Sequence, residues 1–254
     1  MIGDAIQPPT IVAARSFVGL GVVSSCRRRS RREFPNGARI VDETWSQFAA
    51  NGGKLSDAKK PAAMLKVGNA GDVGTVEMQD LILNGKGPTP DVVLMEWNIQ
   101  AMLRWGMSIF VLEEQSGRSS HRPEYPPNTR GTNSPNFQVA SLLLHVSKQA
   151  SGYFETFWAW VADHQIDDPD LNDIHNNMEQ LSVYSARGIL IESRKATWLY
   201  GTASEHSLYY QYNFHGARNI FTTFLQTESA YYQPTPAPPA PFESAVGNIL
   251  GTGS

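Results

Sequence analysis

From Gly74 onward the chain alternates short apolar runs with polar breaks rich in Gly, Pro, Asn and Asp. The runs are "VEMQDLIL", "VVLMEWNI", "SLLLHV", "GYFETFWAWVADH", "SVYSARGILIES", "SLYYQYNF" and "NIFTTFLQTES". They are rich in β-branched and aromatic residues and hold no sustained 3.6-residue period, so the pattern predicts short strands and few helices. Ile189, Tyr209 and Phe221 lie in similar apolar strings that recur one or two tens of residues apart, the period range of stacked repeats. A solenoid of parallel β coils accounts for this better than a sandwich. Each strand then sits about 4.8 Å above its counterpart in the neighbouring coil, so residues one coil apart in sequence become neighbours in space.

Two stretches leave the pattern. Residues 113–138, "EEQSGRSSHRPEYPPNTRGTNSPNFQ", are polar, Pro-rich and aperiodic, which predicts a long loop. The tail "QPTPAPPAPFESAVGNILGTGS" opens as a Pro-rich extended segment and predicts no strand.

Composition narrows the class. With 41% apolar and 18% charged residues the chain is globular rather than disordered, and its 254 residues suffice for a core of ordinary size. The net charge is −3 and the basic residues are scattered except for "RRRSRR", Arg27 to Arg32, so no nucleic-acid partner is expected. A lone Cys26 cannot form an internal disulfide. No stretch is long enough to span a bilayer, and no membrane partner is expected. The early apolar segment "IVAARSFVGLGVVSSC" carries Arg15 within it and its other positive charges after it, the reverse of a secretory signal peptide.

The chemistry concentrates in "TASEH" and "LQTES". Glu205 and Glu228 are 23 positions apart (228 − 205), about one coil, which places them on adjacent coils of one face. Two facing carboxyl groups are what glycoside hydrolysis needs, one to protonate the leaving oxygen and one to act on water or the anomeric carbon. Coil spacing is compatible with either an inverting or a retaining pair. His206 bonds a sugar hydroxyl, holds Glu205 in place, or is a satisfied structural histidine. Trp160, Asp163 and His164 in "WAWVADH" form a sugar subsite, an indole face for the ring and a carboxylate for paired hydroxyls, with core packing the competing role for Trp160. Strand alternation puts Trp158 and Trp160 on one face. Asp163, Asp167, Asp168, Asp170 and Asp173 suggest calcium, but the segment lacks the Gly and terminal Glu of an EF-hand loop and Pro169 interrupts it. No metal and no cofactor are expected.

These residues also carry a resemblance. "GDVGTVEMQDLIL", "KGPTPDVVLMEWNI", "GYFETFWAWVADHQIDDPDLND" and "TWLYGTASEHSLYYQYNFHGARNIFTTFLQTESAYYQPTPAPPAPF" together resemble the C-terminal half of fungal exo-β-1,3-glucanases of glycoside hydrolase family 55, over roughly residues 39–100 and 139–243. The resemblance implies an all-β fold, a right-handed parallel β-helix, normally two such domains side by side. It also implies inverting hydrolysis of β-1,3-glucan, release of glucose or short oligosaccharides, and an extracellular location. By motif, Glu228 would be the general acid, its pKa raised by neighbours such as Phe224, Tyr231 and Tyr232. Glu205 would orient the attacking water, and Tyr231 would join the substrate-binding residues.

The expected organisation is a remnant of a first β-helix domain with an irregular join over 1–38, a second β-helix domain over 39–233, and a Pro-rich tail over 234–254. Residues 101–138 break the family pattern where a Gly-rich strand belongs, and read as a shifted reading frame. Most of a first domain, which would normally pack against the second, is missing. The alternative function is accordingly a catalytically inactive glucan-binding fragment, and a second alternative is a shortened solenoid that does not fold.

Overall fold

The computed structural model describes residues 10–12, 39–41, 62–74, 76, 82–84, 92–101, 138–161, 163, 182–230 and 242. The first strands are β1 (Thr10–Val12), β2 (Arg39–Val41), β3 (Ala62–Val67), β4 (Val73–Gly74), β5 (Ile82–Asn84), β6 (Val92–Trp97) and β7 (Gln100–Ala101). They are followed by β8 (Gln138–Ala140), β9 (Leu142–Val146), β10 (Gly152–Glu155), β11 (Trp158–Trp160), β12 (Tyr184–Ser185) and β13 (Arg187–Ile191). The last are β14 (Thr197–Tyr200), β15 (Ala203–Glu205), β16 (Tyr210–Phe214), β17 (Ile220–Thr223) and β18 (Gln226–Glu228). Among the described residues there is no helix, and every strand pair is parallel.

The pairing repeats with one register. In the five-stranded sheet β16-β13-β9-β6-β3, Leu144 pairs with Ile189 and Ile189 with Tyr212. In β10-β14-β17, Gly152 pairs with Thr197 and Thr197 with Ile220. In β11-β15-β18, Trp160 pairs with Glu205 and Glu205 with Glu228. The last two steps of all three sheets thus join partners 45 (189 − 144) and then 23 (212 − 189) positions apart, and the five-stranded sheet takes earlier steps of 30 (95 − 65) and 49 (144 − 95). The apolar strings around Ile189 and Tyr209 are therefore paired in one sheet, where Ile189 meets Tyr212, whereas the string around Phe221 is out of phase with them and pairs with Trp198 in a different sheet. Strands of different sheets share an apolar composition because they border one core, so composition alone misassigned the phase.

Two of the predicted runs are divided by sharp bends. "GYFETFWAW" breaks into β10 and β11 at Thr156, and "NIFTTFLQTE" into β17 and β18 at Phe224, both with φ of 52°. Gly201, with φ of 60°, makes the same bend between β14 and β15. The three bends follow the register of the strands. Glycine enters this left-handed region freely, whereas threonine and phenylalanine are strained there.

The three sheets face one core. Leu65, Met95, Leu144 and Ile189 form an aliphatic row along the five-stranded sheet. Phe154 and Leu199 from the second sheet and Ala159 from the third close on that row, with Phe157 between those sheets. Trp97 meets Phe154 edge-on at 5.5 Å and donates its indole N–H to the Ser151 carbonyl.

Phe242, within the Pro-rich tail, packs against this body. Phe242 is fully buried against Tyr184 and Ala186. Its carbonyl accepts a 2.7 Å bond from the Tyr209 hydroxyl, and the Tyr209 ring lies 4.8 Å under the buried Arg187 guanidinium. We expect Phe242→Ala to lower the unfolding free energy by about 3–5 kcal/mol. Urea unfolding measures this, and an unchanged midpoint would mean that the anchor contributes nothing.

Candidate active site

The candidate residues gather at the C-terminal end of the sheet β11-β15-β18. Parallel pairing places Trp160, Glu205 and Glu228 side by side on one rung, where neighbouring strands are about 4.8 Å apart. Their environments differ sharply. Glu205 is 4% exposed, whereas the Glu228 side chain, on the last described strand, is 43% exposed.

Trp158 and Trp160 stack with ring centroids 4.7 Å apart and planes 14° from parallel, as alternation along β11 predicts. Trp160 is buried and Trp158 is the partly exposed ring, so the indole presented outward is Trp158. The Trp158 indole N–H donates to Glu205 Oε2 at 3.0 Å. Reading the sequence assigned Trp158 no bond to the site; its one signal was its position two residues before Trp160.

His206 follows β15 directly, with φ of 65°, and is 3% exposed. Its backbone N–H continues the ladder to the Glu228 carbonyl at 2.9 Å. The left-handed turn is not repeated at Val161 or Ser229, the residues in register with His206. The bend is thus specific to this coil and lies beside two carboxylates. Nδ1 of His206 lies 2.7 Å from Asp163 Oδ1 and 3.3 Å from Trp160 Nε1, while Nε2 faces Glu228 Oε1 at 3.7 Å. Asp163 is thus on the histidine. His164, Tyr231 and Tyr232, together with Asp167, Asp168, Asp170 and Asp173, lie outside the described residues. Phe224, expected to neighbour Glu228, is 76% exposed and meets Tyr200 edge-on.

Burial pushes the Glu205 carboxyl up, the nearby Glu228 and Asp163 add to this, and Trp158 and His206 oppose it. Burial pulls the His206 imidazolium down, but the bond to Asp163 and the charges of Asp163, Glu228 and Glu205 outweigh it, and the net shift is upward. Elsewhere, the His145 bond to Glu192 at 2.9 Å leads the effects that hold the Glu192 carboxyl below its usual range.

Together these shifts bracket stability in pH. Glu192 contributes stability present above its unfolded value of 4.5 and lost as pH falls through its lower folded value. Glu205 contributes stability present below 4.5, and His206 below 6.5, each lost as pH rises through its raised folded value. The expected result is a melting temperature that peaks on the acid side of neutral. Thermal unfolding from pH about 3 to about 9 tests it, and a rise continuing above neutrality would contradict it.

The closest atoms of Glu205, His206 and Glu228 all lie within 4.8 Å of one another. A grouping this tight can exchange protons, and the exposed carboxyl and indole beside it can meet a ligand from solvent. The site thus combines a buried and an exposed carboxyl in register beside stacked indoles, within a parallel β fold.

No family model matches the chain. Over 214 residues it is 38% identical to a "Probable glucan endo-1,3-beta-glucosidase" of Arthroderma benhamiae, a match covering 82% of the chain and 24% of that protein. Over 215 residues it is 31% identical to a "Glucan 1,3-beta-glucosidase" of Cochliobolus carbonum, covering 83% of the chain and 26% of that protein. A "Non-secreted LysM effector LysM15" of Penicillium expansum is 39% identical over 216 residues, covering 84% of the chain and 15% of that protein. The chain is therefore similar to a segment of larger fungal glucanases, and spans about a quarter or less of the length of the relatives it matches.

Proposed function

We propose that the chain is the carboxylate-bearing part of a glycoside hydrolase that acts on β-1,3-glucan, folded as a right-handed parallel β-helix. The observation that carries the reading is the in-register pair Glu205 and Glu228 beside the stacked Trp158 and Trp160. The shared register of the three sheets supports the solenoid, since the last two steps of each sheet have the same offsets. The names of the two glucosidase relatives support the substrate.

In this reading Glu228 protonates the leaving oxygen, because it is the exposed carboxyl that can touch a bound sugar. Glu205, held by the Trp158 N–H, directs the attacking water. Trp158 offers a ring face to the sugar. The resemblance brings inversion, with the products glucose or short oligosaccharides and the protein acting outside the cell. Inverting pairs stand about 6.5–9.5 Å apart and retaining pairs about 5–5.5 Å. The nearest Glu205 and Glu228 oxygens are within 4.8 Å, so inversion requires Glu228 to swing outward, for which its exposure leaves room.

The test is incubation of the purified chain with laminarin, with released sugar quantified and the first-formed anomer identified by proton NMR. The α-anomer supports inversion and the β-anomer retention. A second reading, glucan binding without turnover, is favoured by the relative named as a LysM effector rather than as a glucosidase. Retardation in a laminarin gel with no sugar released would establish it.

A further inference from the structure

We propose that Asp163 is a positioning residue that holds the proton of His206 on Nδ1, so that Nε2 shares a proton with Glu228 and the Asp163, His206 and Glu228 side chains act as one proton-exchanging unit. Its catalytic use rests on the hydrolase reading above; its geometry does not.

Nδ1 of His206 faces two partners that make opposite demands. The Trp160 N–H, 3.3 Å away, requires a lone pair there, whereas the Asp163 carboxylate, 2.7 Å away, requires a proton. The shorter, charge-assisted contact prevails, and Nδ1 carries the proton. Nε2 is then the nitrogen that faces Glu228 Oε1 at 3.7 Å, beyond hydrogen-bond distance, so the exchange requires Glu228 to turn toward the ring, for which its exposure leaves room. The ring is held in this pose by burial and by the left-handed bend at His206, which turns the side chain out of the strand's alternation. The charged and titratable groups facing the ring, among the described residues, are Asp163 after β11, Glu205 on β15 and Glu228 on β18. All three are acids, so the surroundings favour a proton on the ring.

A general acid ends each turnover as a carboxylate and must regain a proton. Here the Nε2–H bond of the imidazolium breaks as the O–H bond of Glu228 forms. His206 is left neutral with its proton still on Nδ1 and hydrogen-bonded to Asp163; because Nε2 is buried, the ring is reloaded by a proton that Glu228, the solvent-exposed group, takes from water and passes back. The reverse transfer draws on the same atoms. Asp163 loses no proton in either direction; its part is to keep Nε2 the exchanging nitrogen.

The experiment is an NMR titration of ¹⁵N-histidine and ¹³C-glutamate labelled chain, in the parent and in Asp163→Asn, Asp163→Glu and Glu228→Gln. The parent is expected to show the Nδ1–H tautomer when neutral, with His206 and Glu228 responding to each other's titration. Asp163→Asn should move the neutral proton to Nε2, and Asp163→Glu should restore the parental pattern. Glu228→Gln should move the His206 midpoint down, because a facing negative charge is removed. A parental Nε2–H tautomer, or a His206 curve unmoved by Glu228→Gln, overturns the proposal. Where laminarin is hydrolysed, Asp163→Asn should lower kcat roughly 10²-fold, with KM little changed and the pH profile shifted. If no variant or parent releases sugar while the titrations behave as described, the hydrolase reading fails and the proton unit stands.

Discussion

Glu228→Gln is expected to reduce sugar release from laminarin by roughly 10² to 10⁴-fold, the usual contribution of a positioned acid or base. Glutamine keeps the shape and removes the proton. Glu205→Gln should cause a loss of similar size while preserving the Trp158 N–H bond, because the amide oxygen can accept it at the position of Oε2. The two roles separate on a β-glucoside with a dinitrophenol leaving group, which departs without protonation. The acid variant should then recover most of its rate and the base variant none. With Glu228 as acid, Glu228→Gln is the one rescued. Rescue of Glu205→Gln instead would exchange the roles. If both variants hydrolyse laminarin at the parental rate, the pair is not the catalytic machinery.

Gly188→Ala is expected to cost about 3 kcal/mol or more in stability, a fall in melting temperature of roughly 6–12 °C for a chain of this size. Gly188 lies within β13, between the registers Arg187 with Tyr210 and Ile189 with Tyr212. A Cβ there would collide with the buried Ser204 Oγ and with the main-chain oxygen of Gln211. The serine could rotate, but the Gln211 carbonyl belongs to β16 and cannot yield without opening the ladder. The damage should reach the site, since Ser204 precedes Glu205 on β15. Differential scanning fluorimetry of the variant decides the matter, and a melting temperature within a degree or so of the parent would contradict the predicted collision.

Much of this protein is legible before folding is considered. Parallel pairing converts a sequence offset into a spatial neighbour, so two glutamates 23 positions apart (228 − 205) fall on one rung once the coil length is known. Alternation likewise brings Trp158 and Trp160 together. Strand content follows from short β-branched and aromatic runs, and the turn-rich breaks between them exclude long helices.

The tertiary structure decided what depends on contacts between distant segments. It set which apolar strings are in phase, because the penultimate step of the register is 45 positions rather than 23 and composition cannot distinguish sheets that share a core. It made Glu205 buried and Glu228 exposed, since burial depends on which strands flank each rung. It brought Asp163 onto His206 across 43 positions of chain and drew Phe242 out of a Pro-rich tail into an apolar pocket. A local pattern records which face a side chain occupies. Which carboxylate keeps its water, and which histidine nitrogen holds its proton, is set by the side chains packed around them.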